Sequence, residues 1–171
     1  LFPELIKTLM PIALISQTMP LVALTPLLVL LLGRGVNVIL WITISVTFFP
    51  AFVTMVQGIQ MVPKTTIDVP RAYAASPWTE MRFVIIPASM PYLFAATRLT
   101  APRALLGVMI AEWLATGTGL GNLMNQSRGY IDFGMIWTIA AVSVIISVLF
   151  YQTVVVLERQ VLGRLGMVTV E

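Results

Sequence analysis

Three ionic side chains, Arg98, Arg103 and Glu112, interrupt an otherwise apolar stretch between Pro91 and Leu114. Charges are expensive in hydrocarbon, so such residues point to a protein interior or an aqueous cavity. Arg103 reads either as lining a pathway for an anion or as bonding carbonyls freed by proline. Arg98 reads as reaching to headgroups along its aliphatic stem. Glu112 reads as a residue near the outer interface or as the coupling carboxylate of an ion-driven carrier. Arg103 and Glu112 are nine residues apart, about 13 Å along a helix, too far to pair directly. The chain has neither histidine nor cysteine. Thiolate or imidazole metal sites, disulfides, cysteine nucleophiles and histidine acid–base catalysis are therefore excluded together. A membrane hydrolase would need a nucleophile and base from what remains. Gly117-Thr118-Gly119-Leu120-Gly121 has the glycine content of a nucleotide loop but follows an apolar helix rather than a strand, and is expected to be a turn.

A second concentration of informative residues is the polar segment 62–90, VPKTTIDVPRAYAASPWTEMRFVIIPASM. It reads as two short helices. Asp68 is expected to cap the first, with Pro70 in the first turn, where a proline costs no intrahelical bond. Arg71, Ala72, Tyr73, Ala74 and Ala75 continue it. Ser76 followed by Pro77 is an N-cap and first-position pair that starts a second helix through Trp78, Glu80 and Arg82, with Pro87 expected to end it. Small residues at 72, 74 and 75 beside Tyr73 and Trp78 suit close docking into a partner's groove with aromatic anchors. The same pattern also suits an interfacial hairpin lying on headgroups.

The elements that position these residues follow from composition. Of 171 residues 58% are hydrophobic and 10% charged, against roughly 45–50% and 25% in soluble domains. Ten basic and seven acidic side chains are too few to coat a soluble exterior. Lipid is the expected solvent. A bilayer core needs about 20 helical residues per crossing, and four stretches qualify: 8–32, 36–61, 91–114 and 133–157. Pro11, Pro20, Pro26, Pro50 and Pro102 lie within them and predict kinks. Lys7, Lys64, Arg71, Arg82, Arg159 and Arg164 fall at one set of ends, and only Arg34 and Arg128 at the other. Cytoplasmic loops are enriched in Lys and Arg, which places segment 62–90 and the C-terminus in the cytoplasm. The basic residues form no patch suited to nucleic acid. The chain opens at Leu1 with no signal-peptide pattern and is expected to begin partway through a gene product.

Segment 62–90 resembles the cytoplasmic signature of ABC importer permeases, E-A-A, three residues, G, nine residues, I-x-L-P. Asp68-Val69-Pro70 occupies the first slot, Ala74 the glycine slot, and Val84-Ile85-Ile86-Pro87 the last, with both spacings kept. Val69 and Pro70 depart from the two alanines. The branch associated with nitrate, sulfonate, taurine, bicarbonate and vitamin-precursor import is similar elsewhere too. The matching stretches are Met19-Pro20-Leu21-Val22-Ala23-Leu24-Thr25-Pro26-Leu27, Gly33-Arg34-Gly35, Arg71 to Trp78, Gly119-Leu120-Gly121 and Leu157-Glu158-Arg159.

The resemblance implies an all-α integral membrane protein with the type I importer permease fold, in a bacterial cytoplasmic (inner) membrane, with about two spans preceding Leu1. It also implies that the hairpin, through Asp68, Pro70, Arg71, Ala72, Tyr73, Ala74, Ala75, Ser76, Trp78 and Pro87, couples to separate ABC ATPase subunits. Those subunits bind the ATP, and no cofactor is expected in this chain. An extracytoplasmic solute-binding protein and a second permease copy, in a homodimer, are the other implied partners. The implied cargo is a small anion or organic solute such as a sulfonate or nitrate. The chain has no G-x-x-x-x-G-K-[ST] phosphate loop, so the expected role is a transport subunit without its own ATPase site. An ion-coupled secondary transporter is the competing reading.

Overall fold

The computed structural model describes residues 2–18, 21–164 and 166. Among them every regular element is helical: α1 (Phe2–Thr18), α2 (Leu21–Leu32), α3 (Val36–Gln60), α4 (Lys64–Ala72), α5 (Pro77–Glu80), α6 (Ile86–Ala111), α7 (Gly119–Gly129) and α8 (Phe133–Arg164). Two π turns, Met81–Ile85 and Glu112–Thr116, flank α6. With α5 they make one continuous helix, Pro77–Thr116.

Among the described residues three helices are long and apolar enough to cross a membrane: Val36–Gln60, Pro77–Thr116 and Phe133–Arg164. Within the expected span 8–32 the described residues form α1 and α2, whose apolar portions are Ile6–Ile15 and Ala23–Leu32. Met19 and Pro20, and with them part of the family-like stretch 19–27, lie outside the described residues.

Within the long helices hydroxyls are turned back onto the backbone. Ser45, Thr47 and Thr54 donate to the carbonyls of Trp41, Thr43 and Pro50 at 2.8 Å each. Such back-bonding is how a hydroxyl stays satisfied where water is absent. Large apolar side chains face outward along the long helices, among them Trp41, Leu106, Val144, Ile145 and Leu149. Each would cost about 1.5–3 kcal/mol in water relative to burial. Lipid contact removes that cost.

The chain divides into two compact units, residues 1–49 with 100–152 and residues 50–99 with 153–171. In the first, Val38, Ile42, Ala111 and Ala115 are buried together, with Leu28, Val29, Leu32 and Ile39 packed on them. Small residues let these helices approach closely: a Cβ added at Gly107 would lie 3.1 Å from the Thr43 Cα. In the second unit Gly58 does the same against Tyr92, where an added Cβ would overlap the Tyr92 Cβ. Glycine at such crossings is the usual device where lipid supplies no hydrophobic drive between helices.

Candidate functional site

The hairpin α4–α5 is built by backbone geometry at its bend. α4 starts at Lys64, not Asp68. Its N-cap is Pro63, at φ −60° and ψ 136°, whose carbonyl accepts from Thr66 (3.0 Å) and Ile67 (3.3 Å). Asp68 is thus an exposed mid-helix residue and caps nothing. Pro70 lies beyond the first turn and does remove an intrahelical donor, which an exposed helix tolerates because water reaches the freed carbonyl.

The helix ends in a Schellman arrangement. The Ala74 N–H donates to the Arg71 carbonyl at 2.9 Å and the Ala75 N–H to the Pro70 carbonyl at 3.0 Å. Ala74 between them is left-handed, with φ 52°. That position normally takes glycine, because a β-carbon costs about 1–2 kcal/mol there. The glycine slot of the family signature therefore corresponds to a backbone requirement, and not to the small size that the sequence suggested.

Ser76 caps the second arm as expected: its Oγ accepts from the Thr79 N–H at 3.3 Å, with Pro77 in the first turn. The two arms are then clamped by a bond that sequence reading missed. Arg71 Nε and Nη2 donate to Glu80 Oε2 and Oε1, both at 3.0 Å. The Glu80 hydrogen bond and charge hold the Arg71 guanidinium above its ordinary pKa. The available signal was opposite charge on either side of the helix break at residues 73–76. Pro87 does not end the second arm. The π turn Met81–Ile85 widens the helix ahead of it, and the helix runs on through α6. A π turn is a recognised accommodation for a disturbed i→i−4 ladder.

The resulting polar hairpin carries exposed aromatic side chains. Neither α4 nor α5 has a buried residue. Tyr73 is 85% exposed. Val69, Trp78 and Phe83 are exposed beside it in the chain, while Ala72 and Ala74 are exposed and Ala75 partly covered.

The intramembrane charges are placed differently from one another. Glu112 folds onto the start of α7, where its Oε2 accepts from the Gly121 N–H at 2.9 Å. The α7 N-cap, Thr118, makes no side-chain capping bond, so Glu112 supplies the acceptor and a negative charge at the positive end of the helix. Asn122 Nδ2 closes the turn on the Gly117 carbonyl at 2.7 Å. Gly121 has no room for a side chain, because a Cβ there would strike the Met109 carbonyl. Arg103 is exposed, and Glu112 is not its partner. Arg98 does not lead to headgroups alone: its Nε lies 3.1 Å from Glu158 Oε2, and Glu158 is 2% exposed. Glu112→Ala is expected to loosen the start of α7 by about 1 kcal/mol, while Glu112→Gln, which keeps an acceptor oxygen, changes little. Hydrogen exchange at the Gly121 amide in detergent checks this. Equal protection in the alanine variant would remove the capping role.

An all-helical chain with lipid-facing long helices and an exposed, internally clamped hairpin between two of them defines a polytopic membrane protein of the permease kind. The model of the binding-protein-dependent transport system inner membrane component matches residues 4–163, and the chain belongs to that family, whose relatives here are ABC transporter permeases. It is 31% identical over 90% of its length to the riboflavin transport system permease protein of Chloroflexus aurantiacus. It is 28% identical over 85% of its length to the putative aliphatic sulfonates transport permease protein of Bacillus subtilis. Against the formylaminopyrimidine transport permease protein of Halalkalibacterium halodurans the figures are 25% and 81%. The chain spans 57%, 53% and 57% of those relatives, respectively.

Proposed function

We propose that this chain is the greater part of the transmembrane subunit of an ATP-driven importer, and that hairpin 64–85 seats in a cleft of a separate ABC ATPase. The observation that carries the reading is the hairpin itself. Its bend is fixed by two Schellman bonds and a bidentate ion pair, yet Tyr73 and Trp78 stay 85% and 62% exposed. A pre-organised aromatic knob is what binding without a large ordering cost requires.

In this reading hairpin and C-terminus are cytoplasmic, as the Lys and Arg distribution indicates. ATP binds and is hydrolysed in the partner, closure of two ATPases moves two hairpins, and a second permease copy completes a two-fold pathway. An extracytoplasmic binding protein delivers the solute. The cargo is a small organic or anionic solute. Relatives named for riboflavin, formylaminopyrimidine, aliphatic sulfonates and glycine betaine all match this one chain, which supports selection largely outside the permease. Arg103, exposed on α6, is the residue of this chain best suited to attract an anion along the pathway.

Co-expression of the full-length permease with the ATPase encoded alongside it tests the reading. The expected result is a stable membrane complex recovered through a tag on either subunit. A permease that purifies intact without the ATPase would overturn the docking assignment.

A further inference from the structure

Glu158 is 2% exposed near the end of α8, and Arg98 Nε on α6 lies 3.1 Å from its Oε2. The arginine side chain is 24% exposed. The other carboxylate oxygen, Oε1, is buried without a hydrogen-bond partner among the described residues. Such a pair is a poor way to stabilise a fold. Desolvating both charges is costly, and apolar side chains of similar volume serve stability as well or better. The best-attested use of such a buried polar pair is to specify register between the elements that carry it.

The position of the pair says which register is at stake. Arg98 lies on the same continuous helix, Pro77–Thr116, whose first turn carries Glu80. Glu80 is bonded twice to Arg71 on the opposite arm of the hairpin. Glu80 and Arg98 are about 27 Å apart along a regular helix. One continuous helix therefore carries two ion pairs, one to the docking arm and one to the final helix. All four residues belong to the same compact unit, residues 50–99 with 153–171.

We propose that Arg98 and Glu158 are positioning residues for transport: they make the last turns of α8 travel as one body with the hairpin when the ATPase moves it. The inference rests on the docking reading above. Without the pair, movement of the hairpin would be dissipated as slip between α6 and α8.

The 171 residues contain no cysteine, so in a complex whose other cysteines are replaced nitroxide labels can be placed on exposed sites outside hairpin 64–85 by Met61→Cys, in the turn before α4, and Gln160→Cys on α8. The label-to-label distance within one permease copy is measured in the complete permease–ATPase complex, assembled with an excess of unlabelled permease, first nucleotide-free and then trapped with ATP and vanadate. With the native pair the expected result is one narrow distance in both states, differing by less than the roughly 5 Å of a one-turn slip. With Glu158→Gln the two states are expected to show different or split distances. A shift of a helical turn or more with the native pair overturns the proposal, even if the variant fails to fold. So does a folded Glu158→Gln complex with one unchanged distance, the result a merely structural pair would give. Absence of ATPase from the native complex removes the docking reading and this proposal with it. A moving distance in an intact complex removes only the proposal.

Discussion

Tyr73→Ala is expected to weaken association with the ATPase by about 30-fold or more while leaving the permease as stable as before. The first half follows from where the ring sits. Tyr73 ends α4 at the tip of the hairpin, is 85% exposed, and is the most exposed of the large apolar side chains around the bend. A tyrosine that becomes buried at the centre of an interface commonly contributes about 2 kcal/mol or more on truncation, which is about 30-fold in Kd. The second half follows from what holds the bend. The capping bonds at this position use the backbone of residues 70, 71, 73, 74 and 75, and the Arg71–Glu80 pair does not involve the ring. Titrating the ATPase against the detergent-solubilised permease, with a thermal melt of each variant alongside, separates the two. Native affinity in the alanine variant would mean that the docking surface lies elsewhere. A lowered melting temperature would mean that the ring packs on the permease itself.

Substitutions at Ala74 are expected to act in an order that size alone does not give. Because residue 74 is left-handed, Ala74→Gly should stabilise the bend by about 1 kcal/mol, removing the penalty of a β-carbon there. Ala74→Val should destabilise it by more than that, since β-branched residues are genuine outliers at positive φ. If small size were the requirement, glycine, alanine and serine would be equivalent. The amide of Ala75, which donates to the Pro70 carbonyl, reports the equilibrium directly. Its hydrogen exchange should slow several-fold in the glycine variant and accelerate in the valine variant. Ala74→Trp should both unwind the bend and obstruct docking, and so lose the ATPase altogether. Faster exchange with glycine than with alanine would contradict the conformational argument.

The two variants test different halves of one idea. In the docking proposal Tyr73 supplies contact area, and Ala74 supplies the turn that presents it. A protein that must transmit force through a docked hairpin needs both, because a flexible knob would absorb displacement instead of passing it on.

Much of this molecule was legible from residue types alone. Membrane residence followed from 58% hydrophobic and 10% charged residues, a composition that no aqueous exterior accommodates. The hairpin and its second N-cap followed from Ser76-Pro77, a purely local signal, and Ser76 does cap α5. Local proline signals were less dependable. Pro70 and Pro87 were both expected to mark helix boundaries, but an exposed helix tolerates the first and a π turn absorbs the second.

The chain order of the residues therefore determined the solvent, the long apolar helices and the existence of a polar helical hairpin, since each depends on neighbours within a few positions. Tertiary structure alone decided that Arg71 meets Glu80, that Glu112 caps a helix nine residues on, and that Arg98 is held by Glu158 sixty residues away. The physical reason is that a charge in a membrane chain must find a partner, but spacing along the sequence does not say which element the fold will bring within 3 Å of it.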